Sequence, residues 1–101
     1  MHKQQIEQLG VDSYGVVGDL SFDSVVDVEK EGFSVINEAG KQVSLDLSQV
    51  EACSSAAMAL LLSWLRYASK QQKSLIFSGL PTSLTAMIKG AQLDSLFTIQ
   101  N

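Results

Sequence analysis

The strongest constraint in this sequence is the stretch from Val43 to Lys70, where a two-residue period gives way to a helical one. Val43, Leu45 and Leu47 alternate with Ser44, Asp46 and Ser48, the pattern of a strand with one apolar face. From Met58 to Ala68 the chain is rich in Ala, Leu and Met and holds no Gly or Pro, which predicts a helix. Glu51 to Ser55 reads as a short polar turn between them. It ends in two serines, and a serine oxygen readily accepts from an orphan N–H of a helix's first turn. The stretch is therefore a strand, a tight loop and a long helix that presents Ser54 and Ser55 at its N-terminus.

At 3.6 residues per turn, Met58, Leu61, Leu62, Leu65 and Ala68 share one side of that helix, which the pattern assigns to the core. The opposite side collects Ser55, Ala56, Ala59, Ser63, Arg66 and Lys70, with Leu60 and Tyr67 at its margin. A solvated face carries more Glu and Lys than this. Small, weakly polar residues admit another surface closely, and a lone Arg is a common interface anchor. Two readings stand: a helix that docks a partner, or a helix buried on two sides within its own domain. On the docking reading the partner-binding set is Ser54, Ser55, Ala56, Ala59, Ser63 and Arg66.

With 101 residues, 46% of them apolar, the chain is expected to form one domain over residues 1–101. Gln5 to Gly10 and Tyr14 to Leu20 read as strands joined by a hairpin turn at Val11-Asp12-Ser13. Cap residues at Ser21 to Ser24 precede a helix expected from about Ser24 to Asn37, buried through Val25, Val26, Val28, Phe33, Val35 and Ile36. Gly32 and the β-branched valines weaken that helix. Lys70 to Lys73 closes the long helix with cations near its C-terminus. Ser74 to Ser78 is a short buried strand, and Thr82 to Lys89 a short helix burying Leu84, Met87 and Ile88, with Gly90 as a ready C-cap. Leu93 to Ile99 supplies a last strand. Strands alternating with helices predict an α/β fold, an open sheet of about five strands with helices packed on it.

A formal charge of −4 and a pI near 4.7 argue against nucleic acid or an anionic membrane surface as the main partner. No signal peptide is expected, and the apolar run after Ser55 is broken by Ser63 and Arg66 too soon to span a bilayer. The single cysteine, Cys53, has no internal disulfide partner, and the chain reads as a cytoplasmic domain. There is no Gly-rich loop followed by Lys-Ser/Thr to cradle a nucleotide phosphate. His2 is the only histidine and stands at the terminus, which removes His-based catalysis and most zinc schemes. Cys53 has no basic residue beside it to activate a thiolate and reads as a packing residue. Asp12, Asp19, Asp23 and Asp27 are scattered turn and cap residues without metal-loop spacing. Asp46 is expected to bond the N–H groups of the loop that follows it. The expectation is a protein without catalytic residues, metal or cofactor.

Asp46-Leu47-Ser48, the run Met58-Ala59-Leu60-Leu61-Leu62 and the strand end Phe77-Ser78-Gly79-Leu80 resemble the signature of STAS domains, the sulfate-transporter and anti-sigma-factor-antagonist modules. The nearer likeness is to the small STAS subunits of the Mla system, the bacterial ABC complex that moves phospholipid to maintain outer-membrane asymmetry. The likeness covers nearly the whole chain and implies a STAS fold. It also implies a role as a non-catalytic subunit docked on the complex's cytoplasmic ATPase. The alternative it carries is an anti-sigma-factor antagonist that binds a kinase and is switched by serine phosphorylation, for which Ser55 is the candidate. In that alignment the family's Asp falls on Ser54, its Ser/Thr on Ser55 and its small Gly pair on Ala56 and Ala57. The Asp beside the phosphorylated hydroxyl is missing here, which weighs against the switch.

Overall fold

The alternation of strand and helix patterns is realised in a computed structural model that describes residues 4–100; His2 lies outside the described residues. The elements are β1 (Ile6–Gly10), β2 (Ser13–Leu20), α1 (Val25–Glu38), β3 (Gln42–Cys53), α2 (Ser55–Lys70), β4 (Ser74–Ser78), α3 (Thr82–Gly90) and β5 (Thr98–Gln100). They form one sheet in the order β1-β2-β3-β4-β5, with β1 antiparallel to β2 and every other pair parallel. Each crossover steps the same way across the sheet, so right-handed connections carry all three helices to one face. Val43, Leu45 and Leu47 are buried toward that face, while Ser44 and Asp46 between them are only half-buried on the other. The fold is the expected α/β open mixed sheet.

The hairpin turns through Asp12, whose φ of 56° is left-handed, a conformation Asp tolerates better than most residues. Asp12 Oδ1 accepts the Gly40 N–H at 3.0 Å, tying the hairpin to the loop between α1 and β3. At the other end of β1, Glu31 of α1 accepts the N–H groups of Gln5 and Ile6 at 2.8 and 3.2 Å.

The polar turn expected at Glu51 to Cys53 is instead the end of β3, and only Ser54 separates that strand from α2. The reason is non-local. The C-terminal half of β2 needs a partner, and β3 follows it through the pairs Val17–Gln49, Gly18–Val50 and Leu20–Cys53. Two register shifts each absorb one extra residue of β3, and Gly18, at φ 82°, sits at the second.

Helix α2 is rotated by roughly a quarter turn from the orientation its apolar pattern suggests. Its buried residues are Ala56, Ala57, Leu60, Leu61, Trp64 and Ala68, whereas Met58, Leu62 and Leu65 are only partly buried. The cause is α1. The Trp64 indole lies against Gly32 so closely that a Cβ there would fall 2.2 Å from its Cε2 and Nε1. Trp64 Nε1 donates to the Glu29 carbonyl at 3.2 Å, and the Ser63 hydroxyl donates to Glu29 Oε2 at 2.5 Å. One turn on, the Phe33 and Tyr67 rings lie 4.2 Å apart, and one turn further Gln71 Nε2 donates to Asn37 Oδ1 at 2.8 Å. Residues 29, 33 and 37 thus meet 63, 67 and 71 in steps of four, the ladder of two parallel helices in register. On α1 the buried residues are Val28, Gly32 and Ile36; Val26, expected in the core, is 59% exposed.

Helix ends differ from expectation in two places. Lys73 does not serve α2 but reaches α1, where its ammonium donates to the carbonyls of Ile36, Asn37 and Ala39 at the helix C-terminus. Gly90 is the last residue of α3 rather than its cap, and the left-handed position falls on Gln92 at φ 59°. Of the residues expected to be buried by α3, Leu84 and Ile88 are, and Met87 is partly so. The last segment is a 3₁₀ turn at Asp94–Leu96 followed by the three-residue β5.

Two pairs of substitutions test this packing. Gly32→Ala should destabilise the domain by about 1–3 kcal/mol or more, because the indole has nowhere to move. Gly90→Ala, where an added Cβ meets nothing within 4 Å, should be neutral or stabilising by about 0.5–1 kcal/mol. Leu61→Ala should cost about 2–5 kcal/mol, and the half-buried Leu65→Ala clearly less. Urea melts of the four variants read all of these; equal losses at Leu61 and Leu65 would contradict the observed rotation of α2.

Candidate functional site

The face of α2 turned away from both α1 and the sheet carries Ser55, Ala59, Arg66, Ser69 and Lys70, all exposed, with the half-buried Leu62 among them. It begins at a well-formed N-terminus. Ser54 has extended backbone, its N–H donates to the Leu20 carbonyl at 3.1 Å, and its Oγ accepts the Ala56 N–H at 3.2 Å. Ser54 is thus the helix cap, a structural role, while Ser55 follows it on the surface.

Beside Ala59 the surface dips into an apolar notch of about 230 Å³ between the N-terminal ends of α1 and α2. Phe22, Val25, Val26, Ala56, Ala59 and Leu60 line it, with Glu29 at its edge. Phe22 is 70% exposed and Val26 59%, so two large apolar side chains stand in water next to a small-residue helix face. Exposed apolar surface grouped in this way marks an interaction site more often than scattered residues do.

Of the six residues expected to bind a partner, the structure places Ala59 at the notch, and Ser55 and Arg66 exposed on the same outward face of α2 but outside the notch lining. Ala56 is buried, but its methyl forms part of the notch wall. Ser54 is occupied as the cap. Ser63 belongs to the seam with α1, where Glu29 takes its hydroxyl, so it is removed from the exposed set. Phe22 and Val26 were not expected at the site. Their signal is present in the sequence: Val26 is an apolar residue off the stripe of Val28, Gly32 and Ile36, and Phe22 precedes the helix altogether.

Two of the three segments that carry the STAS resemblance meet in space. Asp46 Oδ1 accepts the Ser48 N–H at 2.8 Å within β3, the local bond expected of it, although the strand continues through Ser48. Gly79, at the end of β4 with φ 62°, lies against this turn, and a Cβ there would fall 2.7 Å from Asp46 Oδ1 and 2.9 Å from the Ser48 nitrogen. Glycine is required at this position both by its backbone angle and by the space. Cys53 is half-buried with Sγ 3.5 Å from the Ser83 hydroxyl. Among the described residues there is no cluster of His, Cys, Asp and Glu that could hold a metal, and no helix is long and apolar enough to cross a membrane.

Comparison with known proteins agrees with this geometry. A family profile described as "Mlab, STAS domain" matches residues 15–99. No curated protein matches the chain by sequence. Among solved structures, a Thermotoga maritima protein described as a candidate anti-sigma factor antagonist aligns with TM-score 0.78 and 16% identity, over 93% of this chain and 83% of that one. The Bacillus cell-fate determinant SpoIIAA in its phosphorylated form aligns with TM-score 0.70 and 13% identity, over 96% and 90%. A sulfate transporter family protein from Wolinella succinogenes aligns with TM-score 0.67 and 24% identity, over 88% and 73%. At these identities the structures show a shared fold, and the profile match over most of the chain shows the family: this protein belongs to the MlaB STAS-domain family.

Proposed function

We propose that the chain is a non-catalytic subunit that docks on the cytoplasmic ATPase of a phospholipid ABC transporter serving outer-membrane lipid asymmetry, and holds that ATPase in its assembled state. The observation that carries the reading is the notch at the N-terminal end of α2, where Phe22 and Val26 stand exposed beside Ala59. An aromatic anchor next to small residues is the surface of a protein that works by contact. The family match supports the choice of an Mla-type complex over other partners. On this reading Ser55 is a contact residue, and its hydroxyl sits at the rim of the interface.

A second reading rests on one specific observation. Ser55 is exposed in the first turn of α2, where N–H groups and the helix dipole favour an added phosphate. The similarity to phosphorylated SpoIIAA gives that chemistry a precedent in the fold. The protein would then be an anti-sigma-factor antagonist released or engaged by a kinase.

The two readings separate in one set of co-purifications with the cytoplasmic ATPase of an Mla-type transporter from the same organism. Ala59→Glu should abolish co-purification while melting like the wild type, since Ala59 is exposed. Phe22→Ser and Arg66→Ala should each weaken the complex by about 1–3 kcal/mol. Ser55→Ala should bind within a few-fold of wild type and Ser55→Asp more weakly, because a charge at a close-packed interface is disruptive. Full-yield co-purification of Ala59→Glu contradicts docking at this face. Stoichiometric phosphate on Ser55 in active protein, with the alanine variant inactive, supports the switch instead.

A further inference from the structure

The C-terminal half of α2 carries a second surface, which shares Arg66 with the docking face above but none of the residues of the Phe22 notch. Helix α2 has sixteen residues and α3, its neighbour toward β5, has nine. At 1.5 Å per residue the shorter helix leaves about 10 Å, roughly two turns, of α2 without a companion on that side. Leu96 of the 3₁₀ turn at Asp94–Leu96 borders this space. What remains is a groove of about 880 Å³ between the C-terminal half of α2 and the start of β4 and β5. Its apolar floor is Leu62, Leu65, Leu75 and Leu93, and Leu96 stands at its edge 58% exposed.

The charge around this groove is one-sided. Arg66, Lys70 and Lys73 line it and, among the described residues, no carboxylate does, although the chain has only seven Lys and Arg against eleven Asp and Glu. Lys73 is committed to the end of α1, which leaves Arg66 and Lys70 exposed and available. A cleft at the other end of the molecule is the reverse: Asp19, Asp23, Asp27 and Glu51 line it and, among the described residues, no cation does. An acidic protein that gathers cations over an uncovered apolar groove is complementary to an acidic, apolar ligand.

We infer that this groove binds an acidic amphipathic helical segment of a partner protein, about two turns long. Two apolar side chains spaced three or four residues apart would enter between Leu62, Leu65 and Leu96, and flanking Asp or Glu would pair with Arg66 and Lys70. The segment would occupy the space that a longer α3 would otherwise fill. The inference does not depend on which protein docks at the Phe22 notch: Arg66 is the one residue assigned to both surfaces, and Phe22 and Ala59 at the notch and Lys70 and Leu96 at the groove tell them apart.

The test uses the full chain, labelled with nitrogen-15, and two synthetic peptides of the same leucine spacing, one flanked by Glu and one by Lys. The Glu peptide should bind at least about tenfold more tightly than the Lys peptide. Its amide shifts should cluster at Leu62, Arg66, Leu93 and Leu96 and spare Phe22 and Ala59. Lys70→Glu should reverse the preference between peptides, and Leu96→Asp should weaken both without lowering the melting temperature. Equal binding of the two peptides, shifts at the notch or nowhere, or indifference to both variants would overturn the inference. So would self-association of the chain that Leu96→Asp abolishes, because the groove would then be covered by a second copy.

Discussion

The upper layer of this domain depends on one close approach, the Trp64 indole lying where residue 32 has no side chain. Gly32 costs α1 some intrinsic helix stability, about 1 kcal/mol relative to alanine, and gives it back as contact with the largest side chain in the core. The indole N–H is satisfied by the Glu29 carbonyl, so the tryptophan is buried without an orphan donor. From that point the ladder of Glu29 with Ser63, Phe33 with Tyr67 and Asn37 with Gln71 fixes both the parallel alignment of the helices and the rotation of α2. The rotation decides what is left outside. Ser55, Ala59 and Arg66 face away because Ala57, Leu60, Leu61 and Trp64 face in.

What was legible in the sequence is what local chemistry controls. The β1–β2 hairpin, α1, α2 as a helix opening at a serine pair, β4 and α3 follow from alternation, cap residues and breakers within a few positions, while the structure chooses Ser54 as the cap. The orientation of α2 was not legible, because Met58, Leu60, Leu61, Leu62, Trp64 and Leu65 cover most of its circumference with apolar side chains. Such a helix has no strong direction of its own, and a neighbour chooses one. The same holds for Glu51 to Cys53, polar enough for a turn yet held as strand by the far half of β2. Gly32 read as a weakness in α1 because its reason lies more than thirty residues away in the chain. On α2, the exposure of Ser55, Ala59 and Arg66 agrees with their spacing, whereas Ser63 turns to the seam with α1, and the exposed Phe22 and Val26 beside Ala59 could not be read without the neighbouring helix. The resemblance to STAS domains located Asp46, Ser48 and Gly79, and the structure supplies the reason they go together: the glycine leaves room for the aspartate–serine turn.

The surface that results is suited to contact. Apolar side chains gather at the Phe22 notch and carboxylates in the Asp19 cleft, both around the start of α1, while cations gather at the Leu96 groove along the C-terminal half of α2. A small α/β domain can serve as an assembly subunit by this means, since separate surfaces can engage separate elements of a larger complex. Helix α2 runs between two of them, with the notch at its first turns and the groove at its last. Its rigidity comes from the sheet beneath and α1 beside it, so the distance between the two surfaces is set by the core.

The central claim is that the outward face of α2 at the Phe22 notch is where the partner ATPase binds. Methyl-labelled chain in complex with unlabelled ATPase tests it most directly, because Ala59, Val25 and Val26 report the notch while Leu9 and Val11 report the exposed hairpin tip. The account predicts large shifts or broadening at Ala59, Val25 and Val26, with Leu9 and Val11 unchanged. Perturbation confined to Leu9 and Val11, with the notch methyls unmoved in a stoichiometric complex, would contradict it.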